Sequence, residues 1–108
     1  KNIVEGDFVL LKTRNSFEDI LEDKFIYVDA SGAEFLRDKK IKGVGIDSLG
    51  IERNQPEHPT HIRLLEADIV ILEGLRLKEI EEGKYFLFAA PVNVAEAEAA
   101  PVRAVLLR

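Results

Sequence analysis

The sequence predicts an α/β fold with mixed β-sheet layers and flanking helices, and three observations carry that expectation. Two short, near-continuous apolar runs, Phe8-Val9-Leu10-Leu11 and Ile69-Val70-Ile71-Leu72, have the pattern of strands buried on both faces. A helix signal over residues 31–40 leads through Ile41-Lys42-Gly43 into Val44-Gly45-Ile46, the helix–loop–strand order of an α/β layer. Two more strand signals follow, an aromatic-rich run at 85–90 and a final run after Pro101.

Taken in order, Phe8-Val9-Leu10-Leu11 follows Gly6-Asp7 and is expected to be an inner strand. Thr13-Arg14-Asn15-Ser16 then breaks the pattern with side chains that favour turns. Phe17, Ile20, Leu21 and Phe25 have a spacing that suits a short helix or a packed loop. Ser31 with Glu34 three residues later reads as a capping box, with Ala33 and Leu36 on the inner face of the helix. Residues 49–57, with Gly50, Asn54 and Pro56, read as an irregular loop long enough to wall a pocket.

Pro59 suits the first turn of a helix running to about Glu66, which would align His61, Leu64, Leu65 and Asp68, the leucines anchoring it to the core. The strand Ile69-Val70-Ile71-Leu72 ends at Glu73-Gly74. Residues 75–80 read as a weak helix or loop with Leu75, Leu77 and Ile80 inward, and the aromatics of Tyr85-Phe86-Leu87-Phe88 as core packing. Residues 94–100, rich in Ala and Glu, are a loop or one helical turn. The last strand runs through Leu107. So many apolar strands on so few helices predict an apolar face left to cover.

At 108 residues the chain is one domain's worth, with 46% hydrophobic and 32% charged residues, a globular balance. A net charge of −5 without a basic cluster gives no footprint for nucleic acid or for an anionic membrane surface. No apolar stretch approaches the roughly 20 residues of a membrane-spanning helix. The sequence has no cysteine, which rules out disulfides and thiolate ligands and fits a reducing, cytoplasmic setting.

The chemistry-bearing residues concentrate in one stretch. Both histidines lie in His58-Pro59-Thr60-His61, and Glu73 follows at the end of the next strand. Neutral imidazole and carboxylate are ordinary ligands of a catalytic divalent ion, and strand ends are where α/β folds place ligands. The residues alone leave two readings open: half of a metal site, or a solvated Glu73 beside a polar loop. Asp47-Ser48, directly after the strand Val44-Gly45-Ile46, either orients a ligand or neighbouring loop, or caps a turn. Arg14 and the acidic residues Glu18, Asp19, Glu22 and Asp23 are expected to be solvated.

Six pieces occur in an order and spacing that resembles the cyclase family of metal-dependent hydrolases, the group that includes bacterial kynurenine formamidase. They are Gly6-Asp7-Phe8-Val9-Leu10-Leu11-Lys12-Thr13, Val44-Gly45-Ile46-Asp47-Ser48-Leu49, His58-Pro59-Thr60-His61, Glu73-Gly74-Leu75, Phe86-Leu87-Phe88-Ala89-Ala90-Pro91 and Pro101-Val102-Arg103-Ala104-Val105. The resemblance covers nearly all of the chain and implies a swivelling β/β/α-like fold.

It also implies a divalent metal, usually zinc and sometimes manganese, with His61 and Glu73 as the ligands this chain contributes. His58, Asp47 and Ser48 are then expected near the substrate or behind the ligands. The implied reaction is hydrolysis of an amide or formamide by metal-activated water, as for N-formylkynurenine. The His-rich signature of the family's N-terminal half, roughly H-x-G-T-H-x-D-x-P-x-H, has no counterpart here. Residues 1–108 are therefore expected to be the C-terminal half of such a domain, inactive alone and partnered by the N-terminal half. A homo-oligomer and a small-molecule amide substrate complete what the resemblance implies. The alternatives are a non-catalytic interaction or structural subunit, or a self-contained His58/His61/Glu73 site, which Pro59 disfavours by leaving His58 outside the helix.

Overall fold

The computed structural model describes residues 2–19, 24–92, 95 and 99–108. Strand β1 (Phe8–Leu11) pairs in parallel with β2 (Gly43–Ile46), and β2 with β3 (Val70–Leu72), giving a three-stranded parallel sheet in the order β1-β2-β3. Each parallel connection carries one helix, α1 (Ala30–Asp38) and α2 (Pro59–Glu66), and the two helices pack on each other. Strands β4 (Phe86–Pro91) and β5 (Val102–Leu107) form a separate antiparallel ribbon. The fold is thus α/β, with parallel and antiparallel sheets and flanking helices.

The pleat sorts the parallel sheet into two faces. Val9 pairs with Val44, and Val44 with Ile71, so these side chains share one face with Leu11 and Ile46. That face meets Ala33 and Leu36 of α1 and Leu64 of α2, and Val28, Ile41, Ile51 and Ile69 close the core around them. Each such burial contributes about 1.5–3 kcal/mol before the entropy of ordering is subtracted. The other face is thin at β2, where Gly43 and Gly45 lie. A methyl group on Gly45 would come within 2.8 Å of Leu10 Cδ2 and 2.7 Å of Leu75 Cδ1, so these two leucines close over the bare backbone. Beyond them is a cavity of about 190 Å³, walled on one side by Leu10, Leu75, Leu77 and Ile80 and on the other by Leu87, Ala104 and Leu106 of the ribbon.

Several expectations change in detail. Only β2 is buried at every residue; β1 and β3 are the outer strands of the sheet, β1 is half-buried, and Val70 is exposed. Helix α1 is capped by Asp29, whose carboxylate accepts from Gly32 N–H at 2.9 Å, rather than by a Ser31/Glu34 box. The Glu34 side chain instead meets Arg63 of α2 at 2.9 Å. On α2 the buried residues are Thr60 and Leu64, one turn apart, so Leu65 is rotated past the core and exposed. Phe86 and Phe88 point outward from the ribbon, because residues two apart share a face and Leu87 takes the inner one. The stretch 17–25 lies partly outside the described residues, as does 94–100. Among the described residues no helix is long and apolar enough to cross a membrane.

Candidate metal centre

The site lies where β2 and β3 leave the sheet. Past β3, Gly74 adopts φ +72°, a left-handed conformation that costs glycine little. Its N–H donates to Ser48 O at 2.6 Å, and Leu75 N–H donates to Ile46 O at 3.1 Å. These bonds lash the end of β3 to the end of β2 and bring Glu73 against the loop that follows β2. There Ile51 N–H donates to Glu73 Oε2 at 2.8 Å and fixes the carboxylate.

His61 arrives from the opposite side, in the first turn of α2. His58 occupies the position before the helix, with φ 52° and ψ 54°, and makes no side-chain capping bond. A helix start has amide N–H groups with no partner inside the helix, and they need acceptors from elsewhere. Glu52 supplies them. Its Oε2 accepts from Thr60 N–H at 3.2 Å and its Oε1 from His61 N–H at 3.0 Å. The Thr60 hydroxyl donates to Val28 O at 2.7 Å and pins the same turn to the segment ahead of α1.

The Glu52 side chain is 1% exposed, and its Oε1 also meets His61 Nδ1 at 2.7 Å. Gln55 Nε2 donates to Oε2 at 2.6 Å. Burial pushes the Glu52 carboxyl up. The bonds from the His61 backbone and ring, from Thr60 N–H and from Gln55 outweigh it, so the group titrates below its ordinary value. Held through Nδ1, His61 turns Nε2 toward Glu73 Oε2, 3.6 Å away. That separation is too long for a hydrogen bond. It is close to the roughly 3.4 Å expected of two donors on one tetrahedral ion with bonds of about 2.1 Å.

The structure thus brings His61 and Glu73 together, with His58 alongside. The two imidazole rings stand edge to face, their centroids 6.3 Å apart. Ligand-type atoms of Glu52, His58 and His61 lie within 4.8 Å of one another, the group of metal-ligating type found among the described residues. Within it the donor chemistry separates the roles: Glu52 Oε2 accepts from two N–H groups and Oε1 from the His61 amide with His61 Nδ1 beside it, whereas His61 Nε2 faces the Glu73 carboxylate. An imidazole nitrogen and a carboxylate, both part-exposed, fit a divalent cation.

Asp47 and Ser48 hold neighbouring loops in place. Asp47 is fully buried, and its carboxylate accepts from Thr13 N–H (2.7 Å), Thr13 Oγ1 (2.8 Å), Ser16 N–H (3.2 Å) and Ser16 Oγ (2.5 Å). It fastens the 3-10 turn Arg14–Phe17 to the end of β2. Ser48 Oγ donates to Gly50 O at 2.5 Å and shapes the loop that presents Ile51 N–H to Glu73. The sequence reading missed Glu52, which lies in an irregular loop at no diagnostic spacing from His61. The available signal was indirect: a helix opening on His58-Pro59 has no capping side chain of its own.

Three comparisons bear on this arrangement. A family model described as "Putative cyclase" matches residues 1–53. Cyclase-like protein 2 of Oryza sativa subsp. japonica is 34% identical over 107 residues, covering 93% of this chain and 39% of that protein. The kynurenine formamidase of Salinibacter ruber is 36% identical over 101 residues, covering 91% of this chain and 48% of that protein. A solved structure described as a potential metal-dependent hydrolase with cyclase activity superposes with a TM-score of 0.95 at 55% identity, over 98% of this chain and 53% of that one. The chain spans about half the length of the relatives it matches, or less. Sequence and fold agree along nearly its whole extent: this chain belongs to the cyclase family.

Proposed function

We propose that this chain is the C-terminal half of a metal-dependent hydrolase that cleaves an amide or formamide of the N-formylkynurenine type, as a cytoplasmic enzyme acting on a small molecule. The observation that carries the reading is the approach of His61 Nε2 to Glu73 Oε2 at 3.6 Å, with the far nitrogen of His61 held by Glu52. His61 and Glu73 are two ligands; a catalytic site needs about three from the protein, so the rest come from the other half of the enzyme. A bound divalent cation, zinc or manganese, supplies water acidic enough to ionise near neutral pH and a positive charge for the developing oxyanion.

This chain's own residues do the placing. The Ile51 amide fixes the Glu73 carboxylate, and Gly74 lets the chain turn away directly behind it. His58, exposed beside His61, is positioned to touch the substrate rather than the cation. In the reaction water adds across the formamide C–N bond, giving formate and the free amine.

The test is metal content and N-formylkynurenine hydrolysis by the intact enzyme. His61→Ala and Glu73→Ala should each lose metal and turnover together, while His58→Ala keeps the metal and loses turnover in part. Full metal content in both ligand variants, or turnover indifferent to chelation, would overturn the proposal.

A further inference from the structure

Glu52 presents a nearly inaccessible carboxylate beside the His61–Glu73 pair, and its bonds show what it is for. A carboxylate offers about four lone-pair positions. Three N–H groups donate to it, His61 N–H at 3.0 Å on Oε1, Thr60 N–H at 3.2 Å and Gln55 Nε2 at 2.6 Å on Oε2, and His61 Nδ1 lies 2.7 Å from Oε1 at the fourth position. Its oxygens are thus engaged with the start of α2 and with Gln55, although the residue is of ligand type and its carboxylate lies within 4.8 Å of ligand-type atoms of two histidines.

We propose that Glu52 is a positioning residue, which fixes His61 as the Nδ1–H tautomer with the Nε2 lone pair aimed at the cation site beside Glu73. The inference deepens the metal reading above and rests on it. Three of the donors, Thr60 N–H, His61 N–H and Gln55 Nε2, surround the carboxylate independently of the ring, so it meets Nδ1 as an acceptor. A neutral imidazole carries one proton; placed on Nδ1, it leaves Nε2 bare. The same Oε1 holds the backbone and the ring of His61, so the direction of the ligand is locked to the start of α2. Carboxylate partners of this kind orient and strengthen imidazole ligands.

Glutamine at position 52 is nearly isosteric but offers one acceptor oxygen. It satisfies the Oε1 side or the Oε2 side and turns an NH2 group against N–H donors on the other.

The experiment uses the intact protein, metal-stripped and 15N-labelled at histidine, at a pH where His61 is neutral. Long-range 1H–15N correlations should show Nδ1 protonated and Nε2 bare at His61. The Nε2–H tautomer in the wild type would overturn the proposal, and this measurement needs no variant to fold. In Glu52→Gln the Nδ1–H preference should be lost, and zinc affinity should fall by about 10–100-fold. Unchanged affinity in that folded variant would overturn the positioning role. So would complete loss of zinc equal to that of Glu73→Gln, which would make Glu52 a ligand.

Thr60→Ala separates positioning from support, because it loosens the same turn without touching the ring; its His61 tautomer should remain Nδ1–H. A wild type that keeps the Nδ1–H tautomer but binds no zinc sinks the metal reading and with it the role, though not the contact. Zinc binding with His61 held as Nε2–H in the metal-free protein sinks the contact and not the metal.

Discussion

Strand β2 and strand β4 are both apolar, Gly-Val-Gly-Ile against Phe-Leu-Phe-Ala-Ala-Pro, yet they have opposite fates. Every residue of β2 is buried, between helices on one face and the crossing leucines on the other. In the ribbon, Phe86 and Phe88 are 66% and 57% exposed, and their cross-strand partners Leu107 and Val105 are 53% and 38% exposed. These four side chains make one aligned apolar face that no described residue covers. The difference lies in what is stacked above each strand, since hydrophobicity is equal or greater in the ribbon. The parallel layer buries one face under its two helices and carries His61 and Glu73. The ribbon is a finished ladder with an unfinished face.

The sharpest way to break this contrast is to remove core volume on each side of it. Leu64→Ala empties a fully buried position of α2 and should cost about 2–5 kcal/mol in urea unfolding of the chain. Phe86→Ala removes a larger side chain and should cost far less. Comparable shifts in the two midpoints would mean that the ribbon face is covered in solution.

Gly45→Ala probes the seam between the two regions. The new methyl group displaces Leu10 and Leu75, but both side chains line the cavity of about 190 Å³ and can retreat into it. The loss should therefore sit near the low end of overpacking, about 1 kcal/mol. A loss of several kcal/mol would show that the seam is closed.

What the sequence made legible follows the same divide. Features set by near neighbours are largely legible: the apolar run 8–11 matches β1, Pro59 marks the start of α2, and His58 lies outside the helix. Residue types and strand-end logic mark the stretch from His58 to Glu73 but also leave a polar loop open; it is the family resemblance that names His61 and Glu73 as a pair. What failed needed knowledge of the opposite surface. Leu65 and Phe88 have the composition of core residues, and only the layer they face decides otherwise. Glu52 escaped because its partners, Thr60 and His61, are reached through an irregular loop whose path no periodicity encodes. The cap of α1 was misread by two residues, since Asp29 and Ser31 are both good capping types and the chain's entry direction chooses between them.

Acid should weaken the helix-backed layer first. Asp29 caps α1 and Glu52 caps α2, and both titrate below their ordinary values of 3.8 and 4.5. For Glu52, burial opposes the shift and the hydrogen bonds overcome it; for Asp29, the Gly32 amide leads and the Ser31 hydroxyl adds to it. As pH falls, the unfolded chain takes up these protons before the folded one, so the unfolded state binds more protons and stability declines. Their contribution is complete above about pH 5 and drains away as pH drops through the lowered folded values. Because Asp29 is exposed, the effect should be smaller than that of either core substitution. Urea midpoints at pH 6 and pH 3 measure it. Glu52→Gln should flatten part of the difference, and a midpoint that rises toward pH 3 would contradict the assignment of both caps.

The smallest effect on stability should come from the ribbon's outer face, and there the informative readout is different. Phe88→Ser replaces an exposed ring by a small polar group, leaves the β4–β5 hydrogen bonds in place, and removes no packing from the inner face held by Leu87. Stability of the 108-residue chain should move by no more than about 0.5 kcal/mol. An exposed apolar patch of aromatic and aliphatic side chains nonetheless attracts dyes and other chains. The wild-type chain should therefore bind a hydrophobic dye or self-associate, and Phe88→Ser combined with Phe86→Ser should reduce both while the unfolding midpoint stays put. In a longer chain that includes the proposed N-terminal half, the same pair should behave oppositely if that half lies on this face. Dye binding would start low, and the substitutions would cost several kcal/mol, as for buried aromatics. Equal behaviour in the 108-residue chain and in that longer chain would mean that the ribbon's outer face stays bare, and that the proposed N-terminal half docks elsewhere.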